Sequence, residues 1–315
     1  MKKKFIDKKP FFIAEISANH NGKLSNAKKL IKFAKDGGAD AVKLQTFTPD
    51  TMTLKKLKNF KIKSGLWKNY NLWKLYNKAK TPLEWHSQLF QYAKKKNIKI
   101  FSTPFSEDDV IFLERLNCEI YKIASFEMND FNLIKFVAQT KKPLIISTGL
   151  ATLKEINNSF NFAKKNGAGE ITLLYCISSY PSRTEEYNLN NIEILKKEFK
   201  CKVGLSDHSI GSNMACMAII KGAEVIEKHI SLKKINSLDS KFSLNEKQII
   251  SFNKDINSAF QLVKNKEFSR SKSELKNRIF RRSIYAINNI KKGEKFTKSN
   301  IKCLRPNIGL GSEFF

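Results

Sequence analysis

Val203–Ser209, VGLSDHS, is a short apolar run that stops abruptly at a hydroxyl, a carboxylate, an imidazole and a second hydroxyl: Ser206, Asp207, His208 and Ser209. Val203 and Leu205 are strand formers. The pattern returns at Ala223–Ile230, AEVIEKHI, where an apolar run ends in Glu227, Lys228 and His229. Two of the chain's four histidines therefore close consecutive short runs. In a parallel barrel the polar groups at strand C-termini converge on one mouth. On these two runs alone, two unrelated surface histidines would fit as well.

Working outward, the same unit repeats. Phe11–Ser17 (FFIAEIS) ends near Glu15, and ANHNGK after it is turn chemistry before a helically spaced Leu24–Lys35. Ala41–Phe47 (AVKLQTF) carries Lys43 and Gln45 at alternate positions, so both share one face of a strand. Ile98–Phe105 ends in Ser102-Thr103-Pro104, and Ile120–Ser125 holds Lys122 and Ser125 with Glu127 just beyond. Pro143–Gly149 ends in Ser147-Thr148-Gly149, and Ile171–Ser178 is followed by Tyr180. Helical stretches separate these runs: 84–96, 107–116, 129–139, 152–165, 188–199, 213–221 and 245–264. Thr152 with Glu155 three residues on is a capping box. Eight strand–helix units with continuous apolar strands predict an α/β protein built on a parallel (β/α)8 TIM barrel. A doubly wound open sheet is the alternative, but no GxGxxG follows the first strand.

Residues 49–83 read as a long irregular insertion. Trp67, Tyr70, Trp73 and Tyr76 make it either a lid or a small satellite core. Asn265–Ile279 is polar and reads as a linker, and Arg281–Ile301 as the β-rich start of another module, with Gly293 supplying a turn. The expected domains are a catalytic barrel over 1–264, a linker over 265–280 and a C-terminal module over 281–315.

The net charge is +29, from 58 Lys and Arg against 29 Asp and Glu. The lysines are spread over many helices, and no nucleic-acid module is recognisable. The charge therefore reads as a bias shared with abundant Asn, Ile and Phe, although a positive field would draw in an anionic substrate. A basic polyanion-binding protein is the reading from another class. Five cysteines without CxxC spacing indicate reduced thiols and a cytoplasmic protein. No apolar run is long enough to span a membrane, and the basic start turns polar too quickly for a signal peptide. Two lysines and a set of hydroxyls around one mouth suit a phosphate and a carboxylate. Two histidines beside them make an incomplete metal shell that leaves room for water and substrate.

AEISANHNG, GADAVKLQTFTPDTMTL, FSTPF, YKIASFE, PLIISTG, GLSDHS and EKH, in that order, resemble the sialic acid synthase (NeuB-like) family over nearly the whole chain. GLWKNYNLWKLYNKAKTPLEWH is similar to the family's pseudaminate-forming branch rather than its neuraminate- or legionaminate-forming ones. RRSIYAINNIKKGEKFT with LRPNIG resembles the start of the family's antifreeze-like (SAF) domain, here shortened, since six residues follow Gly309. The segment after His229 keeps Asp239 but lacks the Gly-Pro usual before it. The shortened C-terminus also leaves a catalytically impaired remnant as an alternative.

The resemblance implies condensation of phosphoenolpyruvate with an N-acylated amino sugar, releasing phosphate. It implies a divalent ion, manganese or magnesium, on His208 and His229. Lys43, Thr103, Lys122, Ser125, Ser147, Ser178 and Ser206 would bind phosphoenolpyruvate. Glu15, Gln45, Tyr180 and Asp239 would face the sugar or a metal-bound water, with Glu127 nearby. Arg305 would reach the partner's site in a domain-swapped homodimer, with neither nucleic acid nor membrane as partner.

Overall fold

The computed structural model describes residues 9–57, 60–265 and 267–315; the basic opening segment, read as unsuited to secretion, lies largely outside the described residues. The chain divides into two compact units, Met1–Lys264 and Asn265–Phe315.

In the first unit eight parallel strands close into a barrel in chain order. They are β1 (Phe11–Glu15), β2 (Ala41–Thr46), β3 (Lys99–Pro104), β4 (Tyr121–Ile123), β5 (Leu144–Ser147), β6 (Ile171–Cys176), β7 (Lys202–Asp207) and β8 (Val225–His229). β8 pairs back onto β1 with Glu15 opposite His229. This is the TIM barrel that the alternating pattern predicts. Strand residues alternate between the barrel interior and the helical layer. Phe12, for example, meets Phe252 of the helix Gln248–Val263 at 5.2 Å between ring centroids, while Ile13 and Glu15 point the other way. Side-chain caps start several helices where the strand-end loops turn. Thr152 and Glu155 form the expected capping box, and Ser106 and Asp130 accept the Asp109 and Leu133 amides at 3.2 and 3.0 Å.

Two features fix β7 against β8. A Cβ added to Gly204 would lie 2.2 Å from the Val225 carbonyl oxygen, so only glycine lets the two backbones approach this closely. Beyond it, on the helix-facing side, Lys228 and Asp207 form a fully buried ion pair at 2.7 Å. Asp207 also accepts from Tyr187 Oη, Ser209 N and Ser209 Oγ, and Lys228 donates to the Ser209 carbonyl.

The other two histidines are structural. His86 Nε2 lies 2.9 Å from Thr46 Oγ1, and His20 Nε2 lies 3.3 Å from Thr81 Oγ1. Burial pushes His20 down to about 4, so its ring is neutral.

The insertion differs from its reading as irregular: it contains helices Pro49–Met52 and Leu72–Ala79. The second spaces Leu72, Leu75, Tyr76 and Ala79 at helical intervals, and Asn71 caps it by accepting the Lys74 amide at 3.2 Å. Tyr76 packs on Phe47, which packs on Phe105, a small satellite cluster. Trp67 instead reaches the loops after β6 and β8. β1 also stops at Glu15, short of the expected Ser17, because Ser17–His20 coil into a 3-10 turn.

In the second unit Ser283–Ala286 pairs antiparallel with Ile301–Leu304, and Gly293 turns the chain between them at φ +88°. The stretch read as a linker contains a short helix, Lys272–Lys276, capped by Ser271. Arg281, Arg282, Arg305 and Glu313 line a groove of about 500 Å³ in this unit. Among the described residues no helix is long and apolar enough to cross a membrane.

Candidate active site

The C-terminal mouth of the barrel gathers most of the residues singled out in the sequence. Its cationic side comes from β2 and β4. Lys43 is almost wholly buried; it is ion-paired to Glu15, donates to Thr103 Oγ1 at 3.1 Å, and lies 3.8 Å from Glu227 Oε2. Lys122, equally buried, donates to Ser147 Oγ at 2.5 Å and to the Ile123 carbonyl at 3.2 Å. No carboxylate lies within ion-pair distance of Lys122 among the described residues. Burial accordingly lowers its pKa, whereas the carboxylates around Lys43 overcome burial and raise that lysine's. A buried cation whose hydrogen bonds among the described residues go only to neutral acceptors, with carboxylates beyond ion-pair distance, is a place for an anion.

A charge-assisted hydrogen bond contributes about 1.5–3 kcal/mol. Lys122→Met should therefore raise the concentration of anionic substrate required by roughly ten- to a hundredfold without loss of thermal stability, as steady-state kinetics and melting will show. Unchanged kinetics would place the anion elsewhere.

Beside the lysines lies a cradle of small groups. Ser125 Oγ accepts the Gly149 amide at 3.2 Å and sits 3.0 Å from Cys176 Sγ, which is 3.9 Å from Ser178 Oγ. A Cβ on Gly149 would fall 2.3 Å from Ser178 Oγ and 2.7 Å from both Cys176 Sγ and Ser125 Oγ. The glycine of STG is thus what lets the three side chains converge. Ser206 Oγ donates to Glu227 Oε1 at 3.0 Å.

Three carboxylates surround this pocket, and their environments separate them. Burial pushes Glu15 up to about 7 against the pull of Lys43, with Glu227 adding repulsion. Glu227 is equally buried, but Lys43 and Lys122 hold it below the usual range. Burial pushes Glu127 up to about 7, and its Oε2 has no hydrogen-bond partner among the described residues. Carboxylates driven apart in this way suit one group for proton exchange near neutrality and another for a fixed negative charge. Glu227 is one of the residues that the sequence reading left out of the site, though it was seen at the end of its apolar run. The available signal was its place two residues before His229, hence on the same strand face.

The histidines lie together, with ring centroids 5.5 Å apart. His208 Nδ1 donates to the Ile177 carbonyl at 2.8 Å, which leaves Nε2 with its lone pair. His229 Nδ1 is buried without a hydrogen-bond partner among the described residues; Asp239 Oδ2 is 3.7 Å away. Burial lowers the pKa of both rings and keeps them neutral, the state that ligates metals. An orphaned imidazole nitrogen beside a second bare one fits a divalent ion. Among the described residues no set of three or more His, Cys, Asp and Glu is arranged to hold one, so other groups would have to complete the shell.

The remaining side is aromatic. Tyr180 stacks 4.3 Å from His208 and 5.3 Å from Phe242, and Phe242 lies 4.8 Å from His229. Trp67 of the insertion packs 5.3 Å from Tyr180. Gln45 is half-buried beside Lys43 on β2. Arg305 belongs to the second unit. The mouth thus has a cationic half fed by β2 and β4 and an aromatic half fed by the loops after β6 and β8, with the histidines and Glu227 between them.

A family model described as the NeuB family matches residues 30–268. The chain is 47% identical over 311 residues to a pseudaminic acid synthase of Campylobacter jejuni, covering 98% of this chain and 91% of that protein. It is 45% identical over 309 residues to the pseudaminic acid synthase of Helicobacter pylori, covering 97% and 91%. Among solved structures, the sialic acid synthetase of Leptospira borgpetersenii superposes with a TM-score of 0.79 at 27% identity, over 88% of this chain and 93% of that one.

Proposed function

The chain belongs to the NeuB family, and from that premise we propose that it makes pseudaminic acid. It joins phosphoenolpyruvate and water to a 2,4-diacetamido-2,4,6-trideoxy hexose of the altrose type. The observation that carries this reading is the divided mouth, anion-binding on one side and aromatic on the other, in a chain so similar along its length to pseudaminic acid synthases.

In this reading Lys43 and Lys122 hold the phosphate and carboxylate, assisted by Thr103, Ser125, Ser147, Ser178 and Ser206. Tyr180, Gln45 and Asp239 face the sugar. His208 and His229 would hold manganese or magnesium, which when bound supplies a Lewis acid for the aldehyde oxygen. Held this way, carbon 3 of phosphoenolpyruvate forms the new bond to the aldehyde carbon. Positive charge develops at carbon 2, where Glu227 and Glu15 stand. Water adds there; the new hydroxyl then becomes the keto oxygen, its proton passing to the leaving phosphate as the C–O bond to phosphate breaks. The proton that water loses balances the one gained at the former aldehyde oxygen, and Glu15 or Glu127, each near 7, is suited to pass it.

The test is phosphate release from phosphoenolpyruvate with a panel of sugars. The diacetamido-trideoxy altrose should be used fastest. Preference for its manno isomer would assign the protein to legionaminate, and preference for N-acetylmannosamine to neuraminate. No release with any sugar would indicate an impaired remnant.

The second unit serves as the antifreeze-like module of a cytoplasmic homodimer, with Arg305 acting in the other subunit's site. His208→Ala and Arg305→Ala proteins, unfolded and refolded together, should then regain activity that neither has alone. No recovery would mean that Arg305 serves its own barrel.

A further inference from the structure

Trp67 does more than fill space between loops. Its indole Nε1 donates to the Leu238 carbonyl at 3.3 Å. That bond uses the ring's one polar atom and leaves only apolar faces and edges. One face packs toward Tyr180, whose own ring lies against His208. Leu238 directly precedes Asp239, which approaches His229 at 3.7 Å. Trp67 therefore continues the aromatic wall that runs from the two histidines through Tyr180. Phosphoenolpyruvate, small and anionic, has no use for such a surface. A deoxygenated, acylated hexose does, because its C6 methyl, acyl methyls and ring C–H groups gain contact area and CH–π stacking on aromatic faces.

We propose that Trp67 is a specificity-determining residue for the sugar, its indole receiving the C6 methyl and an acyl methyl of the hexose. This rests on the function given above. It adds that the insertion after β2, rather than the barrel strands alone, selects a 6-deoxy, diacylated substrate.

The test compares the wild type with Trp67→Ala and Trp67→Phe, each checked for folding by circular dichroism. In Trp67→Ala, KM for the diacetamido-trideoxy hexose should rise about tenfold or more, while KM for phosphoenolpyruvate stays within about twofold. The preference over a 2-acetamido hexose with hydroxyls at C4 and C6 should narrow by about tenfold, the usual reach of an apolar pocket. Trp67→Phe should keep most of the preference. Fluorescence gives a reading that needs no turnover: sugar should quench the wild type, and the quench should shrink in Trp67→Phe. Parallel rises in both KM values, or a fall in kcat alone, would show that Trp67 only pins the insertion and would overturn the proposal. A wild type that turns over no sugar but still shows the Trp67-dependent quench would overturn the function and leave the recognition standing. Absence of any quench together with an unchanged preference would overturn the recognition.

Discussion

Exhaustive chelation is expected to abolish phosphate release, and added manganese or magnesium to restore it. His208→Ala and His229→Ala should each reproduce the loss. The expectation rests on two imidazoles kept neutral by burial, one with a nitrogen that has no hydrogen-bond partner among the described residues and the other oriented by the Ile177 carbonyl. Leaving a buried polar nitrogen unpaired costs about 1–3 kcal/mol, and a bound ion removes that cost. With so few protein ligands, loss of either should lower affinity enough to empty the site. Metal content after dialysis is the independent measure: the wild type should retain close to one ion per barrel and each variant far less. Full activity from protein stripped of metal would refute the assignment.

Lys228→Met is expected to destabilise the barrel strongly, by about 3 kcal/mol, the lower end for breaking one side of a buried pair. The lower end applies because Asp207 keeps three other donors: Tyr187 Oη, Ser209 N and Ser209 Oγ. Asp207→Leu should cost more. It strands the Lys228 ammonium in a fully buried position and leaves those donors without their acceptor. Denaturant titration should give this order. Because the pair immediately precedes both histidines in sequence, partly folded Lys228→Met protein should also bind metal weakly. Wild-type stability for either variant would mean that the pair is not what joins β7 to β8.

Much of the barrel was legible because its strands announce themselves as short apolar runs ending in hydroxyls, lysines or histidines. The period-two alternation that brought out Lys43 and Gln45 could equally have placed Glu227 beside His229, but the eye stops at the histidine. The insertion was harder. Its helix Leu72–Ala79 does space Leu72, Leu75, Tyr76 and Ala79 along one face, but the stripe lasts only two turns in a stretch crowded with lysine and asparagine, and it buries only Leu75. The roles of Cys176 and Gly149 were hidden for another reason. A glycine that makes room and a thiol that fills it carry no charge, and their role exists only once β5 and β6 stand side by side. Arg305 gained its place by resemblance alone, and nothing within the barrel speaks for or against it.

The closure of β8 onto β1 bears on how the protein is born. Glu15 and His229 face each other in register with nearly the whole barrel sequence between them. Lys43 can meet Glu15 as soon as the first two strands pair, yet Glu227 and both histidines emerge from the ribosome only with β7 and β8. No nascent fragment can hold a finished mouth. Until the final strand docks, the lysines and carboxylates that end up dry remain hydrated, and the edges of β1 and of the newest strand remain open. Such long-range closure is slow and exposes unpaired edges to other chains. The catalytic cluster and the last seam of the sheet are one place, so a chain with a working site is also one that has sealed the edge through which it would aggregate.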